Sequence, residues 1–292
     1  KEIDKEKSVI IDEINSYKDT PFERIFDDFE DMIFAGTSLG HNILGSKSSL
    51  MRFNREDLLR FIGRTYNTDQ MVFSIIGNIS PKRFTDLCNR YFADASTHLR
   101  NFERDRTDLY QPDTKTLHRS SHQGHCIIGN RAYNLQEEKR IPLSLLTNIL
   151  GGPSANSLLN LVVRERNGLT YTIEAGFTSL SDTGISTIYF GCDRDNIDVC
   201  IELIHKELDK LKRGEITPHL LAMAKKQYIG QMTIAMENNE SYMLSAARNY
   251  LYYNQVETID SIRRKIQNVT IDNLVEVAQE IYGNNLSTLI YR

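Results

Sequence analysis

Residues 169–192 read L-T-Y-T-I-E-A-G-F-T-S-L-S-D-T-G-I-S-T-I-Y-F-G-C. Two runs rich in Thr, Ile, Phe and Tyr, at about 169–179 and 184–192, are separated by turn residues and not by a helix, so two strands follow one another directly. Working outward, a strand at about 124–129 and helices at about 140–150 and 155–166 precede them. Long helices at about 195–213 and 218–236 come after, then shorter ones near 240–253, 257–267 and 271–282, and residues 286–291 close as a strand. Strands and helices occur without strict β-α alternation, so the expected class is α+β and not a doubly wound α/β sheet.

The first part of the chain fits the same class. Residues 1–18 have helical apolar spacing, and Pro21 is a favoured first-turn residue of a second helix. A loop rich in Gly and Ser, 37–49, leads to Asn54, the N-cap of a helix carrying Leu58, Leu59, Phe61 and Ile62. Residues 71–76, ended by Gly77, read as a buried strand, and Pro81 opens a helix to about Phe92. Residues 94–117 are polar and aperiodic, which makes them the expected linker between 1–93 and 118–292. The runs 54–92 and 271–291 are loosely alike, helix then apolar strand, which hints at two related halves.

Composition narrows the function. The chain of 292 residues carries 35 basic and 39 acidic side chains and has a pI near 6.0, which argues against a nucleic-acid binder working by charge alone. No apolar run approaches the roughly 18 residues of a membrane span. The four cysteines form no C-x-x-C pair, so a reducing, cytoplasmic setting is expected. Residues 1–31 hold 11 acids against 5 bases, and the chain begins without Met inside a helix, so it reads as a piece of a longer polypeptide.

On a helical wheel of residues 1–18, Val9, Tyr17, Ile10, Ile3 and Ile14 fill one arc, and Glu6 and Glu13 fall inside it. A carboxylate on a buried face is costly unless paired or bound to metal. Partial exposure at the helix edge, pairing to an Arg, and a metal or catalytic role are all open from spacing alone. His118, His122 and His125 cluster in the sequence but precede a strand with no Glu between the first two.

The segment K-E-K-S-V-I-I-D-E-I (5–14), containing Glu6 and Glu13, resembles the helix that supplies the third zinc ligand in the insulinase/pitrilysin family of metallopeptidases, which includes mitochondrial processing peptidase subunits. H-N-I-L-G (41–45), R-E-D-L-L-R-F-I (55–62) with Tyr66, and M-V-F-S-I-I-G-N-I-S (71–80) are similar to the rest of that family's first domain. N-I-L-G-G (148–152) and R-E-R-N-G-L-T-Y (164–171) resemble its second.

The resemblance implies two related domains, the first incomplete at its N-terminus, and a zinc endopeptidase acting on extended peptides. It makes Glu13 a zinc ligand and Glu6 a residue that orients a ligand or helps move protons. It makes Arg164 and Tyr171 donors to the oxyanion formed as water attacks the peptide, each worth on the order of 2.7–4 kcal/mol. Read without it, Tyr171 shares a strand face with Leu169, Ile173, Ala175 and Phe177 and could be core, and Arg164 could serve its own helix end. Gly151 and Gly152 are expected to let backbones approach closely.

None of the seven histidines begins the family's H-x-x-E-H, which supplies two zinc ligands and the base. The chain alone is therefore expected to be inactive. Its expected partners are a peptide substrate and either the missing N-terminal segment or a partner subunit, in a homodimer or heterodimer. The alternative is a non-catalytic subunit or binding scaffold for an active partner.

Overall fold

The computed structural model describes residues 1–95, 97–101, 110–119 and 121–292. Its elements are α1 (Glu2–Lys18), α2 (Pro21–Ile33), α3 (Lys47–Arg52), α4 (Arg55–Thr65), α5 (Pro81–Phe92), β1 (Thr114–Leu117), β2 (Gly124–Arg131), α6 (Arg140–Gly151), β3 (Thr170–Ser179) and β4 (Gly184–Cys192). Then come α7 (Ile197–Lys212), α8 (Pro218–Met236), α9 (Asn239–Tyr253), α10 (Ile259–Asn268), α11 (Ile271–Ile281) and β5 (Ser287–Tyr291). The class is α+β, as expected. Of the expected linker, residues 96 and 102–109 lie outside the described residues, and its last four form β1.

Compactness does not follow chain order. One unit comprises Lys1–Leu50, Asp105–Tyr228 and Arg264–Arg292; the other comprises Met51–Arg104 and Ile229–Arg263. Each unit thus takes a piece from both halves of the sequence.

The first unit is built on a five-stranded sheet of order β1-β5-β2-β4-β3, in which β1 and β5 run parallel and the other neighbours antiparallel. Alternation along β2 sends Cys126 and Ile128 to one face and Ile127 to the other. On the first face, Ile188, Phe190 and Ile173 meet Leu146 of α6, Ile204 of α7 and Val277 of α11. On the second, Ile185, Tyr189, Leu289 and Tyr291 meet Ile25, Phe29, Met32 and Ile33 of α2. Helices on both faces explain why β2 and β4 read as continuous apolar runs and not as alternating ones.

The approach of α2 is close. A side chain at Gly129 would come within 3.0 Å of the Phe29 ring. Arg24 and Arg119 pair with Asp28 at 3.6 and 3.1 Å, and the Tyr291 hydroxyl donates to the same carboxylate at 2.6 Å, tying α2 to β5. A helix from the first half of the sequence therefore completes the sheet of the second half.

The second unit holds α4, α5 and α9. Asn54 caps α4, as expected, in a capping box with Asp57, and Ser80 caps α5 just before Pro81. The apolar run 71–76 departs from expectation: it is extended but paired into no sheet, and Met71, Phe73 and Ile75 are exposed. A strand becomes buried by acquiring neighbouring strands, and the described residues of this unit offer none.

Candidate active site

Helix α1 has acids in its first turn and Lys18 in its last, both favourable to the helix dipole. Its packed stripe is Ile3, Lys7, Ile10, Ile11, Ile14 and Tyr17, of which Ile14 is buried. Tyr17 bonds Asp27 of α2, and burial together with that carboxylate pushes its hydroxyl pKa up to about 12. Glu6 and Glu13 lie off this stripe and are exposed, with Val9 between them 50% exposed. The wheel placed them inside a buried arc. Packing selects Ile11 over Val9 as the edge of the stripe and leaves both carboxylates in solvent.

The other candidates sit where α6 hands the chain to β3. Gly151 ends α6, and a side chain there would lie 2.5 Å from the Ala175 backbone nitrogen, so the close approach expected of this glycine is present. Residues Asn160–Glu165 follow as a π-helical turn, narrower than the helix expected at 155–166, with the Arg166 N–H donating to the Leu161 carbonyl at 3.1 Å. Leu159 and Val163 anchor the turn in the core. Gly168, at φ +62°, then reverses the chain with its N–H on the Arg164 carbonyl at 2.9 Å. The Arg164 side chain is exposed, and among the described residues its guanidinium has no hydrogen-bond or ion-pair partner.

Tyr171 follows on β3, where the register to β4 slips between Thr170 and Thr172. Simple alternation would put Tyr171 on the face of Ile173. The bulge turns it out, leaving Tyr171 60% exposed while Thr170 and Ile173 stay buried. Its hydroxyl points to Asp193 Oδ1 at 3.4 Å, a long contact. Asp193, just past the end of β4, was not singled out in the sequence; an acid after a strand carries no distinguishing pattern.

The structure places Arg164 and Tyr171 on adjoining elements, since the π turn packs on β3. It does not join them to Glu6 and Glu13. Helix α1 packs on α2, which covers one face of the sheet, whereas Leu159 and Val163 anchor the π turn in the core of the other.

The histidines also part company. His118 lines a cavity of about 500 Å³ with Lys18, Arg24, Arg119 and Tyr291, and His122 lies beside Arg119 and Arg194. His125 is buried, 2.9 Å from the Tyr189 hydroxyl, and burial lowers its pKa. Among the described residues no group of three His, Cys, Asp or Glu side chains could hold a metal ion. As a zinc donor set the residues present are incomplete: Glu13 offers one suitable carboxylate, and no nitrogen or sulfur donor accompanies it.

Residues 52–228 match the family described as the peptidase M16 inactive domain. The chain belongs to that family. The matched region contains Arg164 and Tyr171 and begins after α1. The chain is 28% identical over 281 residues to the "uncharacterized zinc protease YmxG" of Bacillus subtilis, covering 96% of this chain and 68% of that protein. It is 23% identical to an "uncharacterized zinc protease" of Streptomyces coelicolor, covering 98% of this chain and 64% of the relative. The chain thus spans about two thirds of the length of these M16 relatives.

Among solved structures, the peptidase M16 inactive domain from Pseudomonas fluorescens aligns at TM-score 0.90 and 16% identity, over 99% of this chain and 69% of that one. A protease from Helicobacter pylori aligns at TM-score 0.87 and 18% identity, over 100% of this chain and 71% of that one. These likenesses establish an M16-like fold.

Proposed function

We propose that this M16 chain is the C-terminal portion of a zinc-dependent endopeptidase, in which residues 1–93 end the first peptidase-like domain and 118–292 form the second. The observation that carries this reading is at β3. A bulge turns Tyr171 out of the core, and a π turn holds Arg164 beside β3 without a partner. Two donors held on rigid backbone, Arg164 with no partner among the described residues and Tyr171 with only a long 3.4 Å contact to Asp193, suit the oxyanion of a peptide under attack. Names of the relatives support zinc chemistry.

In this reading Glu13 supplies one carboxylate to the metal and Glu6, two turns away on the same exposed side of α1, orients a neighbouring ligand or shuttles protons. A bound zinc would supply a water activated near neutral pH. The remaining ligands belong to polypeptide outside these 292 residues. Placement of the two constellations on opposite sides of the sheet supports an assembly in which a second chain, a partner subunit or another copy, brings Arg164 and Tyr171 to the metal. Substrate would be an extended peptide added to a sheet edge.

The second reading, a non-catalytic subunit, is favoured by the incomplete donor set and by the match to the family's inactive domain. Zinc content and peptide cleavage of the natural full-length polypeptide, with and without Glu13→Ala, separate the two. A peptidase binds about one zinc per site and loses both metal and activity in the variant. Full-length protein that neither binds zinc nor cleaves peptides, alone or with Glu13 replaced, establishes the second reading. Zinc-dependent cleavage by the isolated 292 residues overturns both.

A further inference from the structure

Away from the candidate active site, positive charge gathers in the first unit where α1 hands the chain to α2, beside the stretch between β1 and β2. A cavity of about 500 Å³ is lined there by Lys18, Asp19, Arg24, His118, Arg119 and Tyr291. A second, of about 290 Å³, is lined by Arg119, Ser121, His122 and Arg194. Arg119 is common to both.

These cations are under-paired. Arg24 and Arg119 share one carboxylate, Asp28, at 3.6 and 3.1 Å, and the Tyr291 hydroxyl donates to the same oxygen. Arg119 Nε is buried without an acceptor, and among the described residues its Nη1 has no hydrogen-bond partner. Lys18 is exposed and has no side-chain hydrogen bond or ion pair among the described residues. Arg194 Nη2 donates to the carbonyls of Arg119 and Ser121, which carry no net charge. Among the described residues Asp19 is the one acid lining either cavity. Setting Asp19 and Asp28 against the four cations leaves a surplus of two positive charges, with both histidines counted as neutral. Like charges gathered around a cavity repel one another until an anion enters.

The donors are positioned in advance. The Arg119 N–H donates to the Arg292 carbonyl at 2.8 Å, and the Arg119 carbonyl accepts from Arg194 at 3.1 Å, so its backbone is fixed from two directions. Its guanidinium lies over the Tyr291 ring, 5.2 Å from the centroid. Donors already held in place lower the ordering cost of binding.

We infer that this cavity binds a phosphate dianion, as the free ion or as the phosphate group of a small ester. Two negative charges match the surplus, whereas a carboxylate would leave half of it. A tetrahedral oxyanion also accepts from guanidinium forks and an ammonium group converging from different elements, here α1, α2 and the stretch before β2. None of these residues has a part in the zinc or oxyanion assignments, so the inference stands apart from the peptidase reading.

Calorimetric titration of the natural polypeptide with inorganic phosphate tests it. Metal is first stripped with a neutral chelator, so that phosphate on zinc is not mistaken for this site. One phosphate per chain should bind with a Kd of about 1 mM or tighter at low ionic strength, and more weakly in salt. Lys18→Gln should weaken binding about 5-fold, and Asp19→Asn should tighten it by about the same factor. Both side chains are exposed and without internal partners, so melting temperatures should not move. Phenyl phosphate separates the two sources: binding tighter than inorganic phosphate assigns the site to an ester, and equal or weaker binding assigns it to the free ion. Absence of saturable phosphate binding overturns the inference. Affinity unmoved by both variants overturns it by placing the ion elsewhere, and acetate binding as well as phosphate at equal ionic strength overturns the dianion.

Discussion

At the scale of the residue, a single slip of register decides what Tyr171 is. Without the bulge between Thr170 and Thr172, its ring would join Ile173 in the core; with it, the hydroxyl reaches solvent beside Asp193. Because the ring is exposed, Tyr171→Phe should change the stability of the chain by no more than about 0.5 kcal/mol. On the proposed peptidase reading, the same change in the full-length polypeptide should lower peptide turnover about 100-fold with an unchanged melting temperature. Steady-state kinetics alongside thermal melts make the comparison. Tyr282→Phe is the converse: that ring is fully buried with its hydroxyl 2.7 Å from Ser186 Oγ, so the loss should fall on stability, by about 1–3 kcal/mol. Arg164 and Tyr171 were candidates from the sequence, and the structure sets them on adjoining elements. The outward turn of Tyr171 was not legible there, since a bulge is set by the partner strand and leaves no mark on the alternation of its own.

A second residue makes the chain sensitive to acid. Burial holds the His125 pKa below its ordinary value near 6.5, and burial likewise lowers that of His205. Below that ordinary value the unfolded chain binds protons that the native imidazoles resist. Their contribution to stability is therefore complete above about pH 6.5 and is lost as pH falls from there toward the native pKa values. Urea unfolding of the first unit from about pH 8 to about pH 5.5 should show midpoints that are flat above the ordinary histidine value and decline below it, by at most about 1.4 kcal/mol per pH unit for each histidine. His125→Asn should flatten the decline. A midpoint that rises on acidification through this window would contradict the assignment.

At the scale of the element, α2 shows what local pattern can and cannot say. Its buried residues Ile25, Phe29, Met32 and Ile33 repeat at helical spacing, and Thr20-Pro21 marks its start, so the helix was legible. What it covers was not, because nothing in residues 21–33 names a sheet whose central strand lies about a hundred residues later along the chain. Phe29 is fully buried against Gly129, whereas Phe22, on the same helix, is 49% exposed beside Tyr189. Phe29→Ala should destabilise the first unit by about 3–5 kcal/mol, and Phe22→Ala by about 1 kcal/mol or less. Equal losses in chemical denaturation would mean that α2 does not seat on the sheet as described. Residues 71–76 make the opposite case. Their composition announces a buried strand, but with no neighbouring strand among the described residues the run stays extended and unpaired, with Met71, Phe73 and Ile75 exposed: a strand is a property of its neighbours as much as of itself.

At the scale of the molecule, the two units should differ in stability by more than any single substitution could produce. The first unit closes a sheet between helices, with Tyr282, Tyr291, Phe29 and Phe190 fully buried. The second brings together helices whose apolar faces stay in water, and each large side chain left exposed forgoes roughly 1.5–3 kcal/mol of burial. Unfolding of the 292-residue chain in urea should therefore depart from a single transition. Far-UV dichroism should lose the signal of α4, α5 and α9 at low denaturant. Near-UV dichroism, dominated by the packed tyrosines of the first unit, should change only in a later step. Trypsin should cut first at Arg60, Arg64, Arg83 or Arg90, whose helices bury no apolar side chain, before it reaches the sheet. Coincident transitions would mean that the helices of the second unit hold together as firmly as the sheet of the first.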